Sequence, residues 1–421
     1  TGSPMSGRRV GFCLSDKKRK RMNLHAFHRC SLTDPSLGEF FLSQIDLARP
    51  LVPQGPFDVI VHKLSDVIVE AEHDSRSQQL LANFQSYVAA HPGTVLLDPL
   101  PAMTQLLDRF ASYRIMTKLH NSLRDWRICS PPYLEIHSVS DPSSIQQAVM
   151  AQGLSFPIIC KTRVAHGSLS HEMSLIFSEG SLADIHPPCV LQSFVNHGAV
   201  LHKVFVVGDQ HFCVERPSLK NFPSGPCDRE TIFFNSHQVS KPESSSDLTA
   251  VSRIVGVTSE AVAALVKELR VQLGMALFGV DVIINIQTHT LTVIDINIFP
   301  GYEGVPQFFS ALLSHIESVL DKQTFAGPQA VGPSATSTAL STSRTVDTRS
   351  LSDAARDNRL PLRFCSCHPG FQMKHNSCFY FIVEEAEEMV TYSCVEVMQI
   401  GNSQNSRNSL HTVIIIAQNI Y

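Results

Sequence analysis

Asp281, Asp295 and Asn297 are the residues whose type and spacing point most directly to chemistry. Two β-prone runs, 280–284 and 291–296, flank a polar turn at 287–289, which predicts a hairpin. Asp281 lies in the first run; Asp295 and Asn297 lie at the end of the second. Strand residues two apart share a face, so Asp295 and Asn297 are expected side by side, with Asp281 brought alongside by the partner strand. Two carboxylates and an amide oxygen are hard donors that suit Mg²⁺, which keeps water and phosphate oxygens in its shell. A hairpin with polar residues near its open end is the blander reading. It leaves acids inside apolar runs, where an unpaired carboxylate is costly. Phe299-Pro300-Gly301-Tyr302-Glu303-Gly304 follows at once, and its glycines allow close backbone approach to a ligand.

A second constellation is 160–172, CKTRVAHGSLSHE. Lys161 ends an apolar strand, where an ammonium can act on nucleotide phosphates as a point charge. A flexible Gly/Ser loop follows that could close over them. An ordinary hairpin with a surface lysine explains the stretch about as well. His166 and His171 match no zinc spacing, and hydrogen bonding to phosphate suits them better than a metal. Further on, Gln192 precedes an apolar strand at 200–207 that carries Lys203, and a lysine there either snorkels or meets an anion. Ser218, Ser236 and Ser240 lie in polar connecting segments and by themselves read as loop serines. Near the start, Lys17-Lys18-Arg19-Lys20-Arg21 directly follows a strand at 9–14, the place where α/β proteins put ligand contacts. A solvated helix start explains that run equally well.

The elements that must carry these residues alternate at first. Strands at 9–14, 58–64 and 95–97 and intervening helices predict an α/β lobe. The second of those strands ends in His62 and Lys63. A helix from Pro101 to about Ser122 places Leu106, Leu107, Phe110, Tyr113 and Met116 at helical spacing, with Arg109 on a different part. From residue 130 the texture becomes α+β, with strands at 157–161, 173–177, 189–194, 200–207 and 211–216 and short helices at 142–151 and 179–184. An amphipathic helix at 259–273 precedes the hairpin, and another helix spans about 305–320. Residues 28–41 lack clear periodicity. The segment 322–351 reads as a disordered linker, rich in Ala, Gly, Pro, Ser and Thr, and 352–421 has apolar runs (379–383, 413–416) without an assignable pattern.

With 421 residues, 43% of them hydrophobic, the chain can bury a large core and form two or three domains or subdomains. The formal net charge of -4 gives no global pull toward nucleic acid, so any polyanion site must be a local basic cluster. The 11 cysteines contain no CxxC, Cys365 and Cys367 being the only close pair, and the usage predicts reduced intracellular thiols. No apolar run approaches the ~20 residues of a membrane span, and the basic N-terminal stretch lacks a signal-peptide core. Thr1 to Pro4 are expected to lie outside the folded unit.

RVGFCLSDKKRK, DVIVHKLSD, LLDPLPAM with LLDR, PIICKTRVAHGSLSHEM, 192–207, RPSLKNF, IFFNSHQVSKPESSS, FGVDVIIN and VIDINIFPGYEGV occur here in order. In that order the chain resembles the inositol-tetrakisphosphate 1-kinases, also called inositol 1,3,4-trisphosphate 5/6-kinases, over roughly 8–320, in an animal-type form. The resemblance implies an ATP-grasp fold: an α/β N-terminal lobe at 8–122 that binds inositol phosphate, then an ATP-grasp domain at 123–321 whose two α+β subdomains sandwich ATP. It implies that Asp281, Asp295 and Asn297 bind two Mg²⁺ ions. Arg109 and Lys161 contact ATP phosphates, the segment from Gln192 to Lys203 is the hinge around adenine and ribose, and Ser218, Ser236 and Ser240 line the nucleotide site. Lys18, His171, Lys203 and Asn297, with Lys63 and Gly301, contact the inositol phosphate. The implied activity is phosphorylation of inositol 3,4,5,6-tetrakisphosphate at position 1 and of inositol 1,3,4-trisphosphate at position 5 or 6, with phosphate exchange between inositol phosphates. The expected protein is a cytoplasmic monomer with no nucleic acid and no membrane partner. Two alternatives stay open at this point: an ATP-grasp carboxylate–amine ligase, and a non-catalytic inositol-phosphate-binding scaffold.

Overall fold

The computed structural model describes residues 7–22, 40–123, 125–139, 141–244, 246–249, 259–326, 378–386 and 389–397. The first compact unit spans Thr1–Gly332. Its first sheet is wholly parallel, ordered β2-β1-β3-β4, from β1 (Arg8–Cys13), β2 (Phe40–Gln44), β3 (Val59–His62) and β4 (Val95–Leu97). Parallel sheets are stable when both faces are covered. Here Val10, Phe12, Val59 and Val61 serve one core, while Cys13 and Ile60 serve another with Phe84 and Tyr87. The helix α1 (Asp16–Met22) follows β1, and α2 (Ser65–Glu70) and α3 (Ser75–Ala90) follow β3. Asp74 starts α3 by accepting the Ser77 N–H at 2.7 Å, satisfying one of the orphan donors of a first turn.

The single helix expected from Pro101 to Ser122 is two: α4 (Leu100–Thr104) and α5 (Arg109–Leu123). Asp108 decides the break. Its carboxylate accepts the Phe110 N–H at 2.9 Å, a cap that starts a new helix and places Arg109 in the first turn. The apolar spacing read across 106–116 survives because Leu106, Phe110, Tyr113 and Met116 all enter one core.

A second sheet, ordered β12-β8-β7-β9-β6, contains β6 (Tyr133–Ile136), β7 (Ile158–Thr162), β8 (Glu172–Ile176), β9 (Cys189–Ser193) and β12 (Ile232–Asn235), all antiparallel. The helix α6 (Pro142–Ala151) packs Ile145 and Val149 on it. The short helix expected at 179–184 is a 3₁₀ segment, Gly180–Asp184. The third sheet is β11-β10-β13-β14-β5, from β5 (Ile128–Cys129), β10 (Val200–Val207), β11 (Gln210–Pro217), β13 (Leu277–Ile284) and β14 (Leu291–Ile298). Helices α5 and α8 (Ser259–Leu273) share a core with one face of it. The last helix of the unit, α9 (Phe308–Ala326), shares a core with the other face and with β1 and β3. That core welds the first sheet to the third. A short helix α7 (Ser236–Val239) directly follows β12.

The second unit, Pro333–Tyr421, contains the antiparallel pair β15 (Cys378–Ala386) and β16 (Met389–Val397), where no pattern was assignable from sequence. Residues 322–326 of the linker expected at 322–351 are instead helical and end α9; the rest of it, the run 413–416, Cys365, Cys367, Thr1 to Pro4 and 28–39 lie outside the described residues. Phe40 and Phe41, at the end of the aperiodic stretch, open β2. Among the described residues no helix is long and apolar enough to cross a membrane.

Candidate active site

The hairpin forms, with a register that sequence spacing alone leaves undetermined. Asp281 on β13 lies opposite Asp295 on β14, and Lys203 on β10 lies opposite Asp281 from the other side. The three make one row across three strands, and directly opposed residues point to the same face. The Lys203 ammonium donates to both Asp281 carboxylate oxygens at 3.2 Å. The next row carries Asn297 opposite Gly279. The pairing slips once: Asp281 faces Asp295 but Val282 faces Val293, so Ile294 is the extra residue of a β-bulge. The slip keeps Val293 and Ile296 together in the core while Asp295 and Asn297 stay on the open face. Without it, a strict two-residue alternation would put Val293 on the face of Asp295 and Asn297 and Ile296 on the other.

Lys161 comes from the second sheet, at the end of β7. It is 4% exposed and donates to the bulge carbonyl of Ile294 at 2.9 Å. Its ammonium also lies 5.3 Å from the Tyr113 ring centroid. Burial pulls Lys161 down to about 8, with the Asp295 charge opposing that shift. Arg109, 3% exposed, donates to the carbonyls of Thr162, Val164 (3.3 Å) and Ser170 (3.2 Å), and its guanidinium lies 3.9 Å from Asp295. The backbone reinforces this tie: Ala165 N–H donates to Leu107 at 3.1 Å and Arg109 N–H to Arg163 at 2.8 Å. The loop expected to be flexible is therefore anchored at both ends to the N-terminus of α5.

These side chains line a cavity that opens to solvent. It brings together Arg109, Lys161, His171, Gln192, Lys203, Ser218, Ser236, Ser240, Asp281, Asp295 and Asn297, contributed by two sheets and their connections. Apolar walls come from Ile159, Phe194, Leu201 and Ile283, among others. An apolar slot with a few placed polar groups is the usual form of a small-molecule site. Lys18, Lys63 and Gly301 are not in its wall. Lys18, 7% exposed, donates to the carbonyls of Phe299 (2.8 Å) and Pro300, and Lys63 donates to Phe299 at 3.2 Å. Both lysines meet the loop just after Asn297, because the first sheet and the third share a core there.

Several contacts in and beside the wall went unread in the sequence. His237 stacks on His171 with ring centroids 5.4 Å apart. His171 is pulled below the usual histidine range by burial first, then by the neighbouring His237, Lys203 and Arg109. Tyr113 donates its hydroxyl to the side-chain amide oxygen of Gln192, and burial keeps that phenol protonated. His197 hydrogen-bonds Ser218. A histidine beside a serine already singled out was the only signal for His237. Partners 79 and 21 residues apart left none for the other two.

The donor set fits a hard divalent cation. Like charges placed directly opposite repel, and two carboxylates with an amide oxygen in facing rows supply the ligand type Mg²⁺ takes. Among the described residues there is no group of three or more His, Cys, Asp or Glu that could hold a metal, so nothing here suits a zinc-type cage.

Comparison with known proteins decides the family. Residues 122–318 match the inositol 1,3,4-trisphosphate 5/6-kinase ATP-grasp domain, and 9–103 match the pre-ATP-grasp domain of the same kinases. The chain belongs to the inositol 1,3,4-trisphosphate 5/6-kinase family. It is thereby an ATP-using inositol phosphate kinase with an ATP-grasp fold. Inositol-tetrakisphosphate 1-kinase of Xenopus laevis is 51% identical to this kinase over 324 residues, covering 76% of this chain and 80% of the relative. The Danio rerio protein of that name is 52% identical over 328 residues, covering 77% and 82%. Inositol-tetrakisphosphate 1-kinase 3 of Arabidopsis thaliana is 34% identical over 332 residues, covering 75% and 87%. Among solved structures, D-alanine–D-alanine ligase from Bacillus anthracis is similar with a TM-score of 0.46 and 11% identity, over 76% of this chain and all of that one.

Proposed function

We propose that this kinase transfers the γ-phosphoryl group of ATP, with Mg²⁺, to inositol 3,4,5,6-tetrakisphosphate at position 1 and to inositol 1,3,4-trisphosphate at position 5 or 6. In this reading it also moves phosphate between inositol phosphates through bound nucleotide, and works as a cytoplasmic monomer. The observation that carries the reading is the row Lys203–Asp281–Asp295, facing one cavity with Lys161, Arg109 and two stacked histidines. A cavity with so many cations suits polyphosphorylated reactants better than carboxylates. The names of the vertebrate relatives support the position-1 activity.

Phosphoryl transfer asks for alignment and charge stabilisation more than covalent help. Asp281, Asp295 and Asn297 are the residues to hold two Mg²⁺ ions. Bound Mg²⁺ would supply positive charge against the negative charge that develops on the transferred phosphoryl group. Lys161 and Arg109 bring two nearly buried cations to the same end of the cavity, where low dielectric strengthens their pull on phosphate oxygens. Gln192, Ser218, Ser236 and Ser240 hold the nucleoside end. His171, Lys203 and Asn297 face the acceptor. Lys18, Lys63 and Gly301 shape the loop after Asn297, and that loop brings the first sheet to bear on the acceptor.

The test measures ADP release with ATP and Mg²⁺ against a panel of inositol phosphates and a panel of carboxylates. Turnover with inositol tetrakis- and trisphosphates, and phosphate found at the stated positions, is expected. Turnover with carboxylates alone, or inositol phosphate binding without turnover, would reject the reading.

A further inference from the structure

We infer that His197 is a positioning residue that locks Ser218 as a hydrogen-bond acceptor toward the nucleotide, so that this wall selects a nucleotide carrying an N–H or O–H donor there. The inference rests on the reading of this cavity as the ATP site.

The direction of each proton follows from the partners. His197 Nδ1 lies 2.7 Å from the Val195 carbonyl oxygen, which can only accept, so Nδ1 carries the proton. The ring is 6% exposed, and burial pulls it down to about 4, so at neutral pH it holds only that one proton. Its charged form is disfavoured further by His202, which itself faces Glu215 at 3.8 Å. Nε2 is therefore a lone pair, and the Ser218 hydroxyl 2.8 Å away must donate to it. A hydroxyl has one proton. With that proton directed at His197, Ser218 offers the cavity only lone pairs.

The Val195 carbonyl holds the other ring nitrogen, and the backbone that carries the imidazole is clamped. Asn221 accepts the N–H groups of His197 (3.1 Å) and Gly198 (2.9 Å). Asn196 both donates to the Phe222 carbonyl at 2.7 Å and accepts the Phe222 N–H at 2.9 Å. Ser218 N–H donates to Ala199 at 2.9 Å. Five hydrogen bonds thus tie the segment at 196–199 to the segment at 218–222. Both His197 and Ser218 line the cavity.

A ribose hydroxyl and the adenine amino group are both donors of the required kind, and a set of analogues separates them. The measurement is kcat/KM for ATP, 2′-deoxy-ATP, 3′-deoxy-ATP and purine riboside triphosphate, which lacks the amino group. The wild type is expected to disfavour one of the three analogues by about tenfold, the worth of one net hydrogen bond. Ser218→Ala should abolish that discrimination. His197→Phe should weaken it, because the freed hydroxyl can turn and donate instead. His197→Gln, which restores an acceptor, should recover it. Each ratio is taken within one preparation, so a smaller folded fraction cancels. Wild-type indifference to all three analogues would overturn the inference, as would wild-type ratios in Ser218→Ala or in His197→Phe. Absence of phosphoryl transfer from ATP to any inositol polyphosphate would instead overturn the parent reading.

Discussion

Lys161 on β7 donates its ammonium to the carbonyl of Ile294, the extra residue of the bulge in β14, across 2.9 Å. A bulge leaves backbone groups outside the strand ladder, and a buried carbonyl without a partner is costly. One lysine thus closes the second sheet onto the third and holds the turn in the strand that presents Asp295. Lys161→Met keeps much of the side-chain volume and removes the charge. It should lower kcat by on the order of 10²–10³ and lower stability by about 1–3 kcal/mol. Steady-state kinetics with a denaturant titration reads both; an unchanged kcat would remove Lys161 from the proposed catalytic role.

Asp295→Asn keeps the shape of the strand end and removes one of the two facing carboxylates. Turnover should fall by on the order of 10²–10³ with the melting temperature near wild type. Removing that charge relieves repulsion from Asp281 but takes a counter-charge from Arg109, 3.9 Å away, so the two effects oppose and the net stability change is expected to be small. Near-normal turnover at saturating Mg²⁺ would reject Asp295 as a ligand.

Arg109 holds both ends of the 162–170 loop through the carbonyls of Thr162, Val164 and Ser170. Lysine lacks the planar fork that reaches all of them. Arg109→Lys should therefore raise the KM for ATP and speed proteolysis near Leu169, which is 71% exposed. Limited proteolysis with mass mapping checks this. A cleavage rate equal to wild type would show that the loop is held by its backbone bonds alone.

Buried titrating groups set opposing pH trends. His62 is held neutral by burial and lowered to about 4, so its contribution is present above its ordinary 6.5 and is lost as pH falls toward 4. Asp98 runs the other way. It accepts the Ala276 and Leu277 N–H groups at 2.7 and 2.9 Å, yet burial outweighs these bonds and raises it from 3.8 to about 6. Its contribution is present below 3.8 and is lost as pH rises through about 6. Between these limits the two partly cancel. Melting temperatures from pH 4 to 7 should fall on acidification less steeply in His62→Gln than in wild type. Matching profiles would mean that His62 is not held neutral in the fold.

Local patterns carried most of the elements. The amphipathic period of α8, the apolar strands of the first sheet and the hairpin at 277–298 were legible because each is a repeat of neighbouring residues. Even the bulge left a trace. Leu291 and Val293 are apolar on odd positions and Ile296 and Ile298 on even ones, a phase slip that a strict alternation cannot produce. The candidate ligand set was legible because acids inside apolar runs need a reason. The break before Arg109 was harder to see, since Asp108 looked like one polar residue within a helical spacing and only its bond to Phe110 makes it a cap.

Tertiary structure alone decided which of those residues meet. The row Lys203–Asp281–Asp295 depends on strand register, the bond from Lys161 to Ile294 on how two sheets approach, and the lock of His197 on Ser218 on two loops clamped together. Each joins residues distant in sequence, and such pairs leave no period to read. The sequence by itself determined the kinds of chemistry available, because donor atoms and charges belong to residue types. The arrangement that gives Lys18 and Lys63 to the loop after Asn297 came from the core shared by β1, β3 and α9, because burial of distant apolar faces sets where the polar ends arrive.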